Sequence, residues 1–434
     1  MSSQRIHIQG GRVIDPANGI DAEMDIYIAK EKIVAVGSGP EGFQADQTID
    51  ASGQIVCPGL VDLGAHLREP GQEHKATIRS ETRAAVAGGI TTLCLPPDTS
   101  PVVETAADVE LIRRRADDSD LARVLVIGAL TVGLQGKELS EMMQLQRAGC
   151  VAMGNAHKPI RSSLVLRKAL EYAGTFGITV FLQPEDPDLA DEGCAHEGVV
   201  AARLGLPAIP EAAETVALAR DLELIRQTGA RAHLGRLSSA RAVEMVAEAR
   251  AAGLPISADV SAHQLHLTEM DIGDFDAQCH VRPPLRTQRD RDALRAGLAN
   301  GILDAVCSDH QPHEPDAKMA PFPVTEPGIS ALETLLPLTL KMADEIGMPL
   351  IDALDLVTAA PAKILGIKAG TLSIGAPADI CLFDPASWWT VSPETLYSRG
   401  LNTPFMGWEL RGTVTRTLVG GRSVFVAPSP ATEA

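Results

Sequence analysis

Six short segments place potentially reactive side chains directly after runs of apolar residues. They are Asp62-Leu63-Gly64-Ala65-His66-Leu67-Arg68-Glu69-Pro70-Gly71, Leu95-Pro96-Pro97-Asp98-Thr99-Ser100-Pro101, Gly154-Asn155-Ala156-His157, Gln183-Pro184-Glu185-Asp186-Pro187, His233-Leu234-Gly235-Arg236-Leu237-Ser238 and Asp309-His310-Gln311-Pro312-His313. Histidines and carboxylates so placed can hold a divalent metal or move a proton. Arg68 can grip a carboxylate through two parallel hydrogen bonds. Two histidines at i and i+2 of a strand share a face and can bind one ion together. Here His66 stands two residues after Gly64, which offers no donor.

Those segments need a scaffold that brings them to one place. Apolar runs recur at 59–63, 91–95, 124–130, 150–153, 178–182, 231–237, 255–260 and 303–308, separated by Ala-, Glu- and Arg-rich stretches such as 240–252. Eight buried strands alternating with helices predict a closed parallel (β/α)8 TIM barrel of α/β class, with an open doubly wound sheet as the alternative. In such a barrel the working side chains lie at the carboxyl ends of the strands. The two ends of the chain read differently. Ile6-His7-Ile8, Gly10–Ile14, Asp25–Ile28 and Lys32–Val36 alternate like antiparallel strands, and Ala378–Phe383 and Val414–Val419 repeat the style. The expectation is a small composite β-sandwich from 1–57 and 371–434 around a barrel spanning 58–370, with the tail 427–434 loose.

Composition narrows the function. Aromatics are only 3% of the 434 residues, so Ala, Val, Leu and Ile must build the core. A formal charge of −18 argues against nucleic acid or an anionic membrane as partner and leaves room for one basic partner surface. The seven cysteines form no C-x-x-C pair, which reads as reduced thiols. No apolar signal core follows Met1 and no run is long enough to span a bilayer, so the expected location is cytoplasmic.

In order and spacing these segments resemble the bacterial dihydroorotases, across about residues 5–425. The family motif Asp-x-His-x-His-x-Arg-Glu-Pro-Gly is matched by Asp62, His66 and Arg68-Glu69-Pro70-Gly71, and Asp-His-x-Pro-His is intact at 309–313. Leu95–Pro101 follows Met-Pro-Asn-Thr-x-Pro with Asp98 in place of Asn, and Glu326-Pro327-Gly328-Ile329 also matches. The resemblance implies a cyclic amidohydrolase in which one or two divalent metals activate water and polarise a carbonyl. It implies too that the last Asp shuttles a proton.

Most of the implied metal ligands are missing. Gly64 replaces the first His, Asn155-Ala156 carries no bridging acid, Gln183 replaces a third ligand and Arg236 a fourth. His66 and Asp309 remain, fewer than the three protein ligands of a catalytic zinc. A guanidinium cannot deprotonate at neutral pH and repels metal. No metal cofactor is therefore expected, zinc being required only if the chain is an active dihydroorotase or an allantoinase-like cyclic amidase. Asp309 is expected to be a vestigial catalytic group. The substrate pocket implied by the resemblance comprises Arg68, Asp98, Arg282 and His313. Metal-depleted relatives of this kind imply a noncatalytic role in pyrimidine biosynthesis, in an oligomer with aspartate carbamoyltransferase. A third reading is a sensor that keeps Arg68 and His313 to bind a pyrimidine precursor.

Plainer roles are expected for several of these residues. His66 alone reads as a hydrogen-bonded core histidine, Asp309-His310 as a capping turn and Arg68 as an internal ion-pair partner. His157 falls past its strand and is expected in a surface loop, and Arg113-Arg114-Arg115 on a solvated helix face. His233 is out of phase with Arg236, and His263 and His266 read as ordinary barrel-top or interface residues. A buried Asp that has lost its metal still needs positive charge. Arg236, with Arg68 or Arg282, is expected to supply it to Asp309 or Asp98.

Overall fold

The computed structural model describes residues 4–428. The first five strands, β1 (Ile6–Asp15), β2 (Ile20–Ala29), β3 (Lys32–Val36), β4 (Gln47–Asp50) and β5 (Ile55–Pro58), open the chain. The parallel strands that follow are β6 (Leu60–Asp62), β7 (Ile90–Leu95), β8 (Arg123–Ala129), β9 (Ala152–Gly154) and β10 (Val180–Leu182). A two-residue pair, β11 (Ala195–His196) and β12 (Ala208–Ile209), interrupts the series. It resumes with β13 (Ala232–Leu234), β14 (Ile256–Ser261) and β15 (Ala305–Cys307). Strands β16 (Ile380–Thr390), β17 (Glu409–Val419) and β18 (Arg422–Val426) end it.

The eight strands from β6 to β15, without the β11–β12 pair, make one parallel sheet in chain order. A parallel bridge between Ala65 and His310 joins its first and last edges. Each strand lies where an apolar run stands in the sequence, and each is followed by a helix, from Ile78–Ala87 to Leu335–Ile346. The helix starts are encoded locally. Thr77 and Thr105 accept from the N3 amides of their helices and receive the reciprocal side-chain contact, and Ser162 and Ser239 cap two others. Gly177 and Gly229 end helices in the left-handed region at φ 65°, which a Cβ would strain. Val61, Cys94, Ile127, Ala152 and Cys307 form a small packed plug, so the barrel is filled.

Both ends of the chain build the second sheet, ordered β18-β17-β16-β5-β1-β2-β3 with β4 on β1. Ile6, Ile8, Ile26, Ile28 and Ile33 lock it around Ile380 and Leu418; each fully buried branched side chain contributes about 1.5–3 kcal/mol. Cys57 and Cys381 face each other across β5 and β16 as free thiols. Among the described residues no helix is long and apolar enough to cross a membrane. The tail at 429–434 lies outside the described residues.

A buried polar junction ties the barrel to the segment returning from the second sheet. Glu81, fully buried, accepts from His310 Nε2 at 2.9 Å, Ser398 Oγ at 2.6 Å and the Arg399 amide at 3.2 Å. Next to it Glu333 accepts from the Tyr397 and Ser398 amides at 2.7 and 2.8 Å. Burial pushes the Glu333 carboxyl up to about 7 despite those amides, with the Glu81 charge adding to the rise. A carboxyl raised in the folded state stabilises fully below its unfolded pKa of about 4.3, and that stability is lost as pH rises towards 7. Glu333→Gln should therefore gain stability relative to the parent as pH rises from 5 to 8. Thermal unfolding at several pH values checks this; a difference that stays flat with pH would refute it.

Candidate functional site

Four strand ends hold their key residue in the left-handed backbone region: Arg68 (φ 63°), Ala156 (φ 48°), Arg236 (φ 58°) and Asp309 (φ 48°). Outside glycine this conformation costs about 1–3 kcal/mol each and tends to mark functional geometry. The four sit around the mouth of the barrel. At Ala156 the turn sends the next residue back over the strands. His157 is thus not on a surface loop, contrary to the sequence expectation, but at the centre of the site. Its Nε2 lies 3.1 Å from His66 Nε2, and the rings stack with centroids 5.0 Å apart.

Arg236 supplies the other half of this centre. Its Nη1 donates to Asp309 Oδ1 at 2.9 Å and to His157 Nε2 at 3.1 Å, and its Nη2 donates to Gln183 Oε1 at 2.5 Å. Asp259 fixes the backbone from below by accepting the Arg236 amide at 2.6 Å while pairing with His233 at 2.9 Å. Burial opposes the Arg236 charge, but Asp309 beside it outweighs burial and raises its pKa. The ion pair expected between Arg236 and Asp309 is present. The remaining anion is served differently from expectation: Asp98 pairs with His66 Nδ1 at 3.2 Å, not with an arginine. Burial alone would raise the Asp98 carboxyl, yet the contact with His66 and the charge of Arg68 hold it well below the usual range.

Counting hydrogens fixes the role of one ring nitrogen. A guanidinium only donates, so His157 Nε2 accepts from Arg236. His66 Nε2 faces that same acceptor, while its Nδ1 faces a carboxylate. Burial, followed by the charges of Arg236 and His66, pushes His157 well below the ordinary histidine value and keeps it neutral. Arg236 and Asp309 thus balance each other's charge in the buried centre, which is the arrangement that burial favours.

The other expected residues fall around this chain. Among the described residues Arg68 has no ion-pair partner; it donates to the Pro312 carbonyl at 3.0 Å and contacts His313 Nε2 at 3.1 Å. Burial, Arg68 and Lys75 push His313 down to about 2. Lys75, a residue the sequence reading missed, reaches His313 Nδ1 at 3.2 Å. Arg282 meets neither Asp98 nor Asp309, because Glu185 takes it in two parallel bonds of 2.7 Å. Asn155 turns away to Thr131 and the Leu134 and Lys158 carbonyls. His310 is no capping turn but the Glu81 partner, and His263 is buried against Ser261. His266 donates to the Leu338 carbonyl. Arg115 leaves the expected solvated face to pair with Glu69 and Glu73.

A cavity of about 50 Å³ lies between Gly64, Ala156, Gln183 and Arg236. A Cβ on Gly64 would meet nothing within 4 Å.

The geometry tests the metal directly. His66, His157 and Asp309 bring one donor atom each within 4.8 Å of one another, and three donors meet the minimum for a catalytic zinc. Yet Arg236 Nη1 is bonded to two of the three. A fixed cation lies among the donors, so the residues as arranged do not fit a metal ion.

Residues 53–242 match the dihydro-orotase-like family model, and 200–425 match the amidohydrolase family model. A dihydroorotase-like protein of Pseudomonas putida is 50% identical over 96% of this chain and 98% of its own length. The chain belongs to the dihydroorotase-like amidohydrolases. A dihydroorotase of Anaeromyxobacter sp. (strain K) is 43% identical to this dihydroorotase-like chain, over 97% of it and 98% of the relative. The L-hydantoinase (dihydropyrimidinase) from Arthrobacter aurescens superposes with a TM-score of 0.87 at 24% identity, covering 97% of this chain and 96% of that one. That likeness concerns the fold alone.

Proposed function

We propose that this dihydroorotase-like protein is noncatalytic and serves pyrimidine biosynthesis as a structural or regulatory partner of aspartate carbamoyltransferase. The observation that carries the reading is the Arg236 guanidinium bonded to His157, Asp309 and Gln183, amid the donor cluster of His66, His157 and Asp309 at the barrel mouth. Asp309, the residue that would move a proton in a working relative, is committed to that ion pair. Arg68, Asp98, Arg282 and His313 are likewise engaged with protein partners. Metal analysis of protein purified without chelator, run beside carbamoyl-aspartate cyclisation, tests this. The expected result is substoichiometric zinc and no cyclisation above background, together with co-elution with the transcarbamoylase of the same cell. Stoichiometric zinc with turnover that Asp309→Asn abolishes would overturn it.

One observation favours a second reading, an atypical cyclic amidohydrolase. His66, His157 and Asp309 are close enough to hold a single ion once the arginine is displaced. The same two measurements separate the readings.

A further inference from the structure

Three loops at the carboxyl end of the barrel form one raft. They follow β10, β14 and β15 and comprise 191–204, 268–280 and 314–326. Their contacts are close. A Cβ on Gly198 would meet the Glu269 carboxylate at 2.7 Å. His280 stacks on Phe322 with centroids 5.0 Å apart, and Lys318 donates to the His280 carbonyl at 3.3 Å. From this raft Val199, Met270, Phe275, Met319 and Val324 project into solvent, exposed by 81, 63, 48, 77 and 71%. Scattered apolar residues are ordinary on a surface, but a set gathered on adjoining loops marks an interface.

The charge around them is mainly acidic: on 191–204 Asp191, Glu192 and Glu197 are exposed beside the basic Arg203. Across 268–280 and 314–326 every exposed charged side chain is acidic, including Asp271, Asp274, Asp276, Asp316 and Glu326. Lys318, the lysine of these two loops, is buried beneath them. Such a face repels nucleic acid and anionic lipid. It also opposes a symmetric pairing with a second copy, since a twofold interface would set the excess acid of one copy against that of the other. Charge complementarity leaves one kind of occupant.

We infer that this raft is the docking face for a protein whose surface carries Lys and Arg around exposed apolar side chains. The inference rests on the partner reading above and names the surface that serves it. Apolar contacts at the centre hold such a complex, and the acidic surround speeds encounter and makes it sensitive to salt.

The test titrates purified aspartate carbamoyltransferase against the full-length chain by calorimetry at low and high salt. The variants are the double substitution Met270→Asp/Met319→Asp on the raft and Trp388→Asp on β16, a residue that is 64% exposed. The expected result is binding by the parent that weakens with salt, a loss of about tenfold or more in the raft variant, and no change in the β16 variant. Circular dichroism confirms that each variant folds. Parent-like binding by the raft variant overturns the docking face and leaves the partnership standing. No binding by the parent at either salt overturns the partnership and the docking face with it.

Discussion

Replacing Arg236 with alanine should destabilise the protein by about 3–5 kcal/mol, because it strands a buried anion. Asp309 is 2% exposed, and Arg236 is its charged partner at 2.9 Å. His157 and Gln183 lose a donor at the same moment. The loss should be repairable by a cation of a different kind. Without the guanidinium, His66, His157 and Asp309 surround an open space with three donor atoms. Zinc or cobalt in hundredfold excess over its Kd would return about 2.7 kcal/mol by binding only the folded state. Unfolding curves of Arg236→Ala with cobalt and with chelator check the restoration, and the visible absorption of tetrahedral cobalt reports the ligand field. The parent should show neither effect. An Arg236→Ala protein as stable as the parent and colourless in cobalt would mean that the arginine is a bystander.

The second large effect is expected at Glu81. It is completely buried and accepts hydrogen bonds from Ser80, His310, Ser398 and the Arg399 amide. Glu81→Ala leaves these donors without water or partner, and each orphaned buried group costs about 1–3 kcal/mol. His310 suffers most, since its backbone also bridges Ala65 and Ile329 and so closes the barrel. A loss of at least about 3 kcal/mol is expected. It should appear as a lower urea midpoint at unchanged slope. Glu81→Gln keeps the shape but turns an amide donor towards existing donors, so it should recover only part of the loss. A midpoint within error of the parent for the alanine variant would show that water satisfies the junction.

Most of the scaffold was legible because its signals are local. Short Val-, Ile- and Leu-rich runs bounded by glycine and proline gave the barrel strands, and antiparallel alternation at both ends gave the second sheet. The Arg236–Asp309 pair was legible from charge alone, since a buried carboxylate without metal requires a cation. His157 was not. Its place depends on a left-handed turn at Ala156, a residue type that gives no sign of that conformation. The partner of Asp98 was missed for a related reason: charge counting seeks arginines, and the contact with His66 exists only once the two strand ends are folded together. Arg282 was drawn off by Glu185, and no spacing rule relates positions nearly a hundred residues apart. Lys75 lies between the motifs and resembles any surface lysine until the loop folds it onto His313.

The arginine at the barrel mouth has a consequence for how the protein is supplied. A metal ion must be acquired after synthesis, competes with other ions for its site and can be stripped away. Arg236 is delivered covalently by translation, once per chain, with the same charge in every copy. On the noncatalytic reading proposed above, a scaffold balanced in this way would mature without a metallation step, its supply set by protein synthesis and independent of the metal status of the cell.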